Sequence, residues 1–266
     1  TADYKNIEEN LSLLKTGTLA LFKLSKAKKG CIAIKEDKKK QIEDLKKTFE
    51  GTPIEIRTVP NIYPMGWERT LVYELTGKRY NMLPIEAGMI LNNASTAIAL
   101  GNAIDNGMPI THKYVTVSGD ALKDPKNVYV PVGTKAHEII EAVGGYKEGV
   151  DNVLLIAGGP MMGRTIPNDA FVIAPQNNGL TVLINKEEDE VACLRCGRCT
   201  TTCPSGLQPV RIAAAGKSKD EATLNKLHVM DCIECGLCTY ICPSKIAVTE
   251  NVRRAKNFIR LQGGKK

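Results

Sequence analysis

Apolar residues recur at helical spacing from Tyr4 to Lys15, at Ile7, Leu11 and Leu14, and predict an amphipathic helix there. Cys31 to Ile34 reads as a short buried strand, with Cys31 as a small hydrophobe inside it. Asp37 to Phe49 is charged on one side and carries Ile42 and Leu45 on the other, which predicts a helix with Asp37 as its N-cap. Ile54 to Val59 opens as a half-buried strand should, with Ile54 and Ile56 separated by Glu55. Trp67 to Leu75 is helical again and closes at Gly77; Gly88 to Leu91 reads as an apolar strand, and Ser95 to Ile104 as a helix ending at Gly107. Strands alternating with helices predict a parallel α/β unit over residues 1–111.

The pattern changes after Gly107. Lys113 to Ser118 and Asn127 to Pro131 alternate like strands, Ala136 to Val143 is a short helix, and Val153 to Ala157 and Val182 to Ile184 are strands. A helix lying across a mixed sheet is the expectation for residues 112–186. The acidic run Glu187-Glu188-Asp189-Glu190 reads as a linker into a third domain, 187–266, with helices at Val210–Ala215, Ala222–Leu227 and Asn251–Leu261.

That last domain holds the chemistry. Cys193, Cys196, Cys199 and Cys203 precede Pro204, and Cys232, Cys235, Cys238 and Cys242 precede Pro243. Two runs of Cys-x2-Cys-x2-Cys-x3-Cys-Pro fit two [4Fe–4S] clusters, in which the fourth Cys of each run serves the other cluster. One set is then Cys193, Cys196, Cys199 and Cys242; the other is Cys232, Cys235, Cys238 and Cys203. Zinc sites pair their ligands across longer spacers, so they match this spacing poorly. A disulfide framework is the other rival, and a reducing compartment is implied because exposed cluster cysteines in an oxidising one would pair as disulfides.

Composition excludes several classes. Of the 266 residues, 43% are hydrophobic and 24% charged, as in ordinary globular domains. A net charge of +7, partly in Lys38-Lys39-Lys40 and Lys265-Lys266, fits solvated helix faces, with an acidic partner or an anionic membrane surface as the alternative. Aromatics at 5% give no nucleic-acid pattern. The longest apolar stretch, Met82 to Ile104, is broken by Pro84, Glu86, Asn92 and Asn93 and predicts no membrane span. The opening residues have the character of a domain interior, which predicts a piece of something longer.

Three further motifs leave their roles open. Gly158-Gly159-Pro160-Met161-Met162-Gly163 lacks G-x-G-x-x-G spacing and reads either as a tight turn or as a ligand loop. Asn92-Asn93-Ala94-Ser95-Thr96, expected at a strand end, either caps a helix or meets a ligand. Tyr63-Pro64-Met65-Gly66-Trp67-Glu68 either packs as a loop or lines a pocket.

With these motifs and both cysteine runs in order, together with Val117-Ser118-Gly119-Asp120, the whole chain resembles the C subunit of the Rnf electron transport complex, and is similar to the flavin-bearing subunit of respiratory complex I. The resemblance implies a Rossmann-like α/β flavin and NADH unit, a β-grasp-like (SLBB) domain and a helical two-cluster ferredoxin domain. It also implies a peripheral subunit on the cytoplasmic face of the inner membrane, exchanging electrons between NADH, FMN, two [4Fe–4S] clusters and ferredoxin within an ion-translocating complex. By the same resemblance Tyr63, Gly66, Glu68, Asn92, Asn93 and Thr96 line the flavin and nicotinamide pocket, with Trp67 standing where the relative has a glutamate. The family's glycine-rich flavin loop has no counterpart in this chain. A cobalamin reductase built from similar modules, and a flavin-free iron–sulfur subunit, are the alternative readings.

Overall fold

The structure is a computed structural model that describes residues 1–80, 83–186 and 189–263. Met82, Glu187, Glu188 and the tail pair Lys265-Lys266 lie outside the described residues. Contacts divide the chain into two compact units, Thr1–Gly159 with Arg164–Asn185, and Pro160–Gly163 with Lys186–Lys266.

The first unit opens with α1 (Ala2–Glu9), α2 (Leu11–Ser25), β1 (Gly30–Lys35), α3 (Lys39–Thr48), β2 (Ile54–Val59), α4 (Glu68–Thr76) and α5 (Ala94–Asn106). β1 and β2 pair in parallel from Gly30 opposite Ile54 to Lys35 opposite Val59. Ile34, Leu45, Phe49 and Ile54 meet Ile7, Leu14, Ala97 and Ile98 in one apolar core.

Four expectations need correction. Tyr4–Lys15 is two helices, because Asn10 leaves helical geometry (φ −130°, ψ 36°) while its amide turns back to the Asn6 carbonyl at 3.0 Å. Asp37 does not cap α3: its carboxylate is engaged by Lys38 Nζ at 2.7 Å and Asn61 Nδ2 at 3.1 Å, and Lys38 takes the cap position. Gly88–Leu91 is no strand; a 3-10 turn at Pro84–Ala87 ends on Gly88, and Ile90 points to solvent. Cys31 is exposed, since strand alternation turns it away from Ile32 and Ile34, which face the core.

The same unit continues with β3 (His112–Ser118), β4 (Lys126–Pro131), α6 (Ala136–Ala142), β5 (Val153–Ala157), β6 (Arg164–Ile166) and β7 (Gly179–Ile184). They form a mixed sheet in the order β4-β3-β7-β5-β6, parallel only between β3 and β7. Ile139 and Ile140 of α6 bury themselves against Val115, Val117, Leu180 and Val182, so the expected helix over a mixed sheet is present. The three-residue β6 was not expected; it is too short to show alternation.

The second unit is helical: α7 (Arg198–Thr201), α8 (Pro209–Lys217), α9 (Glu221–Lys226), α10 (Leu237–Tyr240) and α11 (Val248–Gly263). Ile212, Ala215, Leu224, Val229, Val248, Val252 and Ala255 form its core. Asp220 caps α9 by accepting from the Thr223 N–H at 3.0 Å.

Candidate metal centre

An offset of 39 residues superposes one half of the second unit on the other, from Cys193 on Cys232 to Pro209 on Val248. The backbone obeys the same offset. Arg195 and Glu234 both sit at φ 55°, and Gly197 and Gly236 at φ 75° and 84°. The amides of Arg195 and Glu234 each donate to the sulfur two residues earlier, Cys193 and Cys232, at 3.4 Å. α7 and α10 then start on those glycines, and Gly206 and Lys245 repeat the left-handed turn after Cys-Pro. The repeat therefore reaches past the cysteines into α8 and α11, further than the sequence showed.

Left-handed turns of this kind expose backbone N–H groups on the inside of the loop, where a negative group is stabilised. In the second half four thiols share one pocket. Cys203, Cys232, Cys235 and Cys238 line one pocket with Pro204, Leu207, Ile212 and Val252. Burial pushes the thiols of Cys232, Cys235 and Cys238 up, and charge on Cys203 raises all three further. Four crowded thiolates in an apolar pocket need a compensating cation, so this donor set fits a metal cluster. Thr249 Oγ1 lies 3.2 Å from Cys238 Sγ, and because it already accepts from Thr239 Oγ1 at 2.9 Å, its own proton is free for the sulfur.

The first run is more open: Cys193 and Cys196 are exposed and Cys199 is half-buried. Two hydrogen bonds bring it to the end of the second run. The Val191 N–H donates to the Ser244 carbonyl at 3.1 Å, and Ser244 Oγ donates to the Ala192 carbonyl at 3.1 Å. Cys193 is thereby tethered two residues beyond Cys242. Among the described residues, no three His, Cys, Asp or Glu side chains converge as they would on one metal ion.

Gly158–Gly163 is a turn between strands. Its Met161 backbone rests on Gly236, where an added Cβ would lie 2.3 Å from the Met161 oxygen. Its Met162 carbonyl accepts from Arg253 at 3.2 Å. Sequence reasoning missed Lys256 on α11, which is only 5% exposed. Its ammonium donates to the Cys232 carbonyl at 2.6 Å and to Glu234 Oε1 at 2.7 Å, while Arg253 holds Glu234 Oε2 at 3.2 Å. Burial opposes ionisation of Glu234, but the bonds and charges of Lys256 and Arg253 outweigh it and hold the carboxyl below its usual range. The signal was available: Lys256 continues the buried stripe Thr249–Val252 by helical spacing, a place where a charge needs a partner.

The other predicted residues lie in the first unit. Tyr63 and Gly66 follow the carboxyl end of β2, the position at which open α/β sheets take ligands. Tyr63 and Trp67 are exposed, and a Cβ at Gly66 would meet nothing within 4 Å, so the backbone there is open to approach. Glu68 opens α4 and accepts from the Tyr80 hydroxyl at 2.8 Å; burial first, then this bond, pushes Tyr80 up to about 12. Asn92 is exposed with no strand before it. Asn93 caps α5 by accepting from the Ser95 N–H at 2.8 Å, and its amide donates to Asp3 at 3.5 Å. Thr96 lines a polar cleft with Asn6, Asn10, Asn102, His112 and Tyr129, to which Tyr63, Gly66 and Glu68 do not contribute.

Comparison with known proteins places these parts in a class. Residues 1–102 match the Nuo51 FMN-binding domain, 114–165 the SLBB domain, and 185–243 a 4Fe–4S dicluster domain. The chain thus joins an FMN-binding domain, an SLBB domain and an iron–sulfur dicluster domain in that order. It is a relative of the C subunits of ion-translocating oxidoreductase complexes, as its motifs implied. It is 36% identical over 222 residues to the C subunit of the proton-translocating ferredoxin:NAD(+) oxidoreductase complex of Clostridium ljungdahlii, covering 82% of this chain and 48% of that protein. It is 34% identical over 221 residues to the C subunit of the ion-translocating oxidoreductase complex of Rhodobacter capsulatus, covering 80% and 42%. The corresponding protein of Pectobacterium carotovorum aligns over 98% of this chain at 32% identity, but over 36% of its own length. The chain thus spans half or less of the length of these relatives. A chain from an NAD+-reducing [NiFe]-hydrogenase in the H2-reduced state shares the fold, with TM-score 0.60 and 15% identity over 98% of this chain and 53% of that one. Among the described residues no helix is long and apolar enough to cross a membrane.

Proposed function

We propose that this chain is an electron-transfer segment of a ferredoxin:NAD oxidoreductase complex, with three functional domains at 1–111, 112–186 and 187–266. The observation that carries this reading is the gathering of Cys203 with Cys232, Cys235 and Cys238 around one pocket, within a two-fold sequence repeat. Those four would hold one [4Fe–4S] cluster, and Cys193, Cys196, Cys199 and Cys242 the other. The flavin-domain match and the open backbone past β2 support Tyr63, Gly66 and Glu68 as the residues that would hold FMN and NADH; Asn92, Asn93 and Thr96 would join them on the strength of the resemblance alone, since Thr96 lines a separate cleft and Asn93 caps α5. A bound flavin would take the two electrons of one hydride and release them singly, and the clusters would supply one-electron steps. The protein's part is positional: α8 and α11 wall the second pocket with apolar side chains, and the loop amides and Thr249 direct hydrogen bonds at its sulfurs. As part of a translocating complex, the chain would act as a peripheral subunit on the cytoplasmic side, beside ferredoxin and the membrane subunits.

The visible spectrum of anaerobically prepared protein tests this. The reading expects flavin bands above broad cluster absorption, both bleached by NADH. Cluster absorption without flavin bands and without bleaching would overturn the flavin part and leave an iron–sulfur carrier.

A further inference from the structure

The two halves share a backbone, yet their charged side chains differ. Glu234 of the second loop has Arg195 as its counterpart, and Lys256 has Lys217. Lys217 and Arg195 are exposed, whereas Lys256 is buried on the carbonyl of a cluster cysteine. Arg253, which clamps Glu234, corresponds to Ala214, and Thr249, which meets Cys238, corresponds to Val210. Among the described residues, a buried cation stands at the loop in the second half and not in the first.

We propose that Lys256 is the positioning residue of the second cluster, fixing the Cys232–Cys235 loop through the Cys232 carbonyl and raising that cluster's reduction potential with its buried charge. The proposal rests on the cluster assignment above. The physical case has three parts. A buried charge is poorly screened, so it acts on a nearby redox centre far more than exposed Arg195 or Lys217 can. Reduction adds one electron to the cluster, and a fixed positive charge favours that added electron. The Glu234 carboxylate opposes this effect, but it is shared between Lys256 and Arg253, and Glu250, 3.9 Å from Arg253, is half-exposed and paired with Arg254 at 3.3 Å, so the buried charge of Lys256 is not cancelled. Cluster potentials respond to charge, to hydrogen bonds on sulfur and to burial, and all three differ between the halves.

The test is an EPR-monitored redox titration of the anaerobically prepared protein, with iron content measured on every sample. Lys256→Met should lower the second cluster's reduction equilibrium about tenfold, or about 59 mV for a one-electron couple. Glu234→Gln should move the same midpoint upward. Lys256→Arg should restore most of the wild-type value, and Lys217→Met should change neither midpoint. If Lys256→Met loses iron, Glu234→Gln decides: an upward shift sustains the proposal, while no shift or a downward one overturns it. Loss of iron from both variants sustains the fixing of the loop and overturns the tuning of the potential as a separable role. Wild-type protein that binds no iron would refute the cluster assignment itself, an outcome separate from any of these.

Discussion

Gly197 and Gly236 occupy equivalent turns, so one substitution made at both separates the cost of the turn from the cost of a contact. Alanine at either must adopt a left-handed conformation, at φ 75° or 84°, which costs about 1–2 kcal/mol. At Gly197 the new methyl meets nothing within 4 Å, so the turn is the whole penalty. At Gly236 the Cβ would fall 2.3 Å from the Met161 oxygen and 3.1 Å from its carbonyl carbon. The Met161 backbone must withdraw by roughly 0.7 Å to reach even a 3.0 Å separation, an overpacking that costs about 1–3 kcal/mol more. Gly236→Ala therefore loses about 2–5 kcal/mol and Gly197→Ala about 1–2 kcal/mol. The assay is guanidinium unfolding under anaerobic conditions, followed by cluster absorption. Metal-bound domains depart from two-state behaviour, so the quantity compared is the difference between the two midpoints. Equal shifts for the two variants would refute the packing of Met161 on Gly236.

Other outcomes are equally accessible. Asn93→Ala removes the α5 cap and should cost about 1 kcal/mol in thermal stability, while Asn93→Ser keeps a neutral acceptor beside Asp3 and loses less; equal losses would contradict the capping role. Tyr80 should ionise near 12 in an ultraviolet titration, and Glu68→Gln should bring it down. Because the folded value lies above the ordinary value of 10.0, the contribution of Tyr80 to stability is complete below pH 10.0 and fades as pH rises toward 12. A Tyr80 that titrates near 10 in the wild type would contradict the bond to Glu68.

The iron–sulfur character of the last domain was legible from spacing alone, and the dicluster-domain match over 185–243 agrees with it. Helix ends at Gly77 and Gly107 were legible for a local reason: both adopt the left-handed C-cap that glycine supplies at low cost. The errors are cases of competition. Asp37 had a capping residue's identity, but Lys38 and Asn61 occupied its carboxylate. Met89-Ile90-Leu91 had strand composition, but Gly88 closes a turn and no described strand lies beside it to pair with. The wider repeat was hidden because Pro209-Val210-Arg211-Ile212 and Val248-Thr249-Glu250-Asn251 share backbone geometry without sharing side chains. Lys256 escaped notice because a lysine in a basic helix reads as solvated; its helical spacing from Thr249 and Val252 was the available signal, and its burial and its bond to the Cys232 carbonyl show its place.

The most direct measurement is iron and acid-labile sulfide per chain in anaerobically prepared wild-type and Cys203→Ser protein. Two cubane clusters require about eight of each in the wild type. Because Cys203 stands with Cys232, Cys235 and Cys238, its loss should disturb the cluster of the second run and leave the EPR signal of the first. Zinc in place of iron, or loss of the first-run signal alone, would contradict the exchange of fourth ligands on which the account depends.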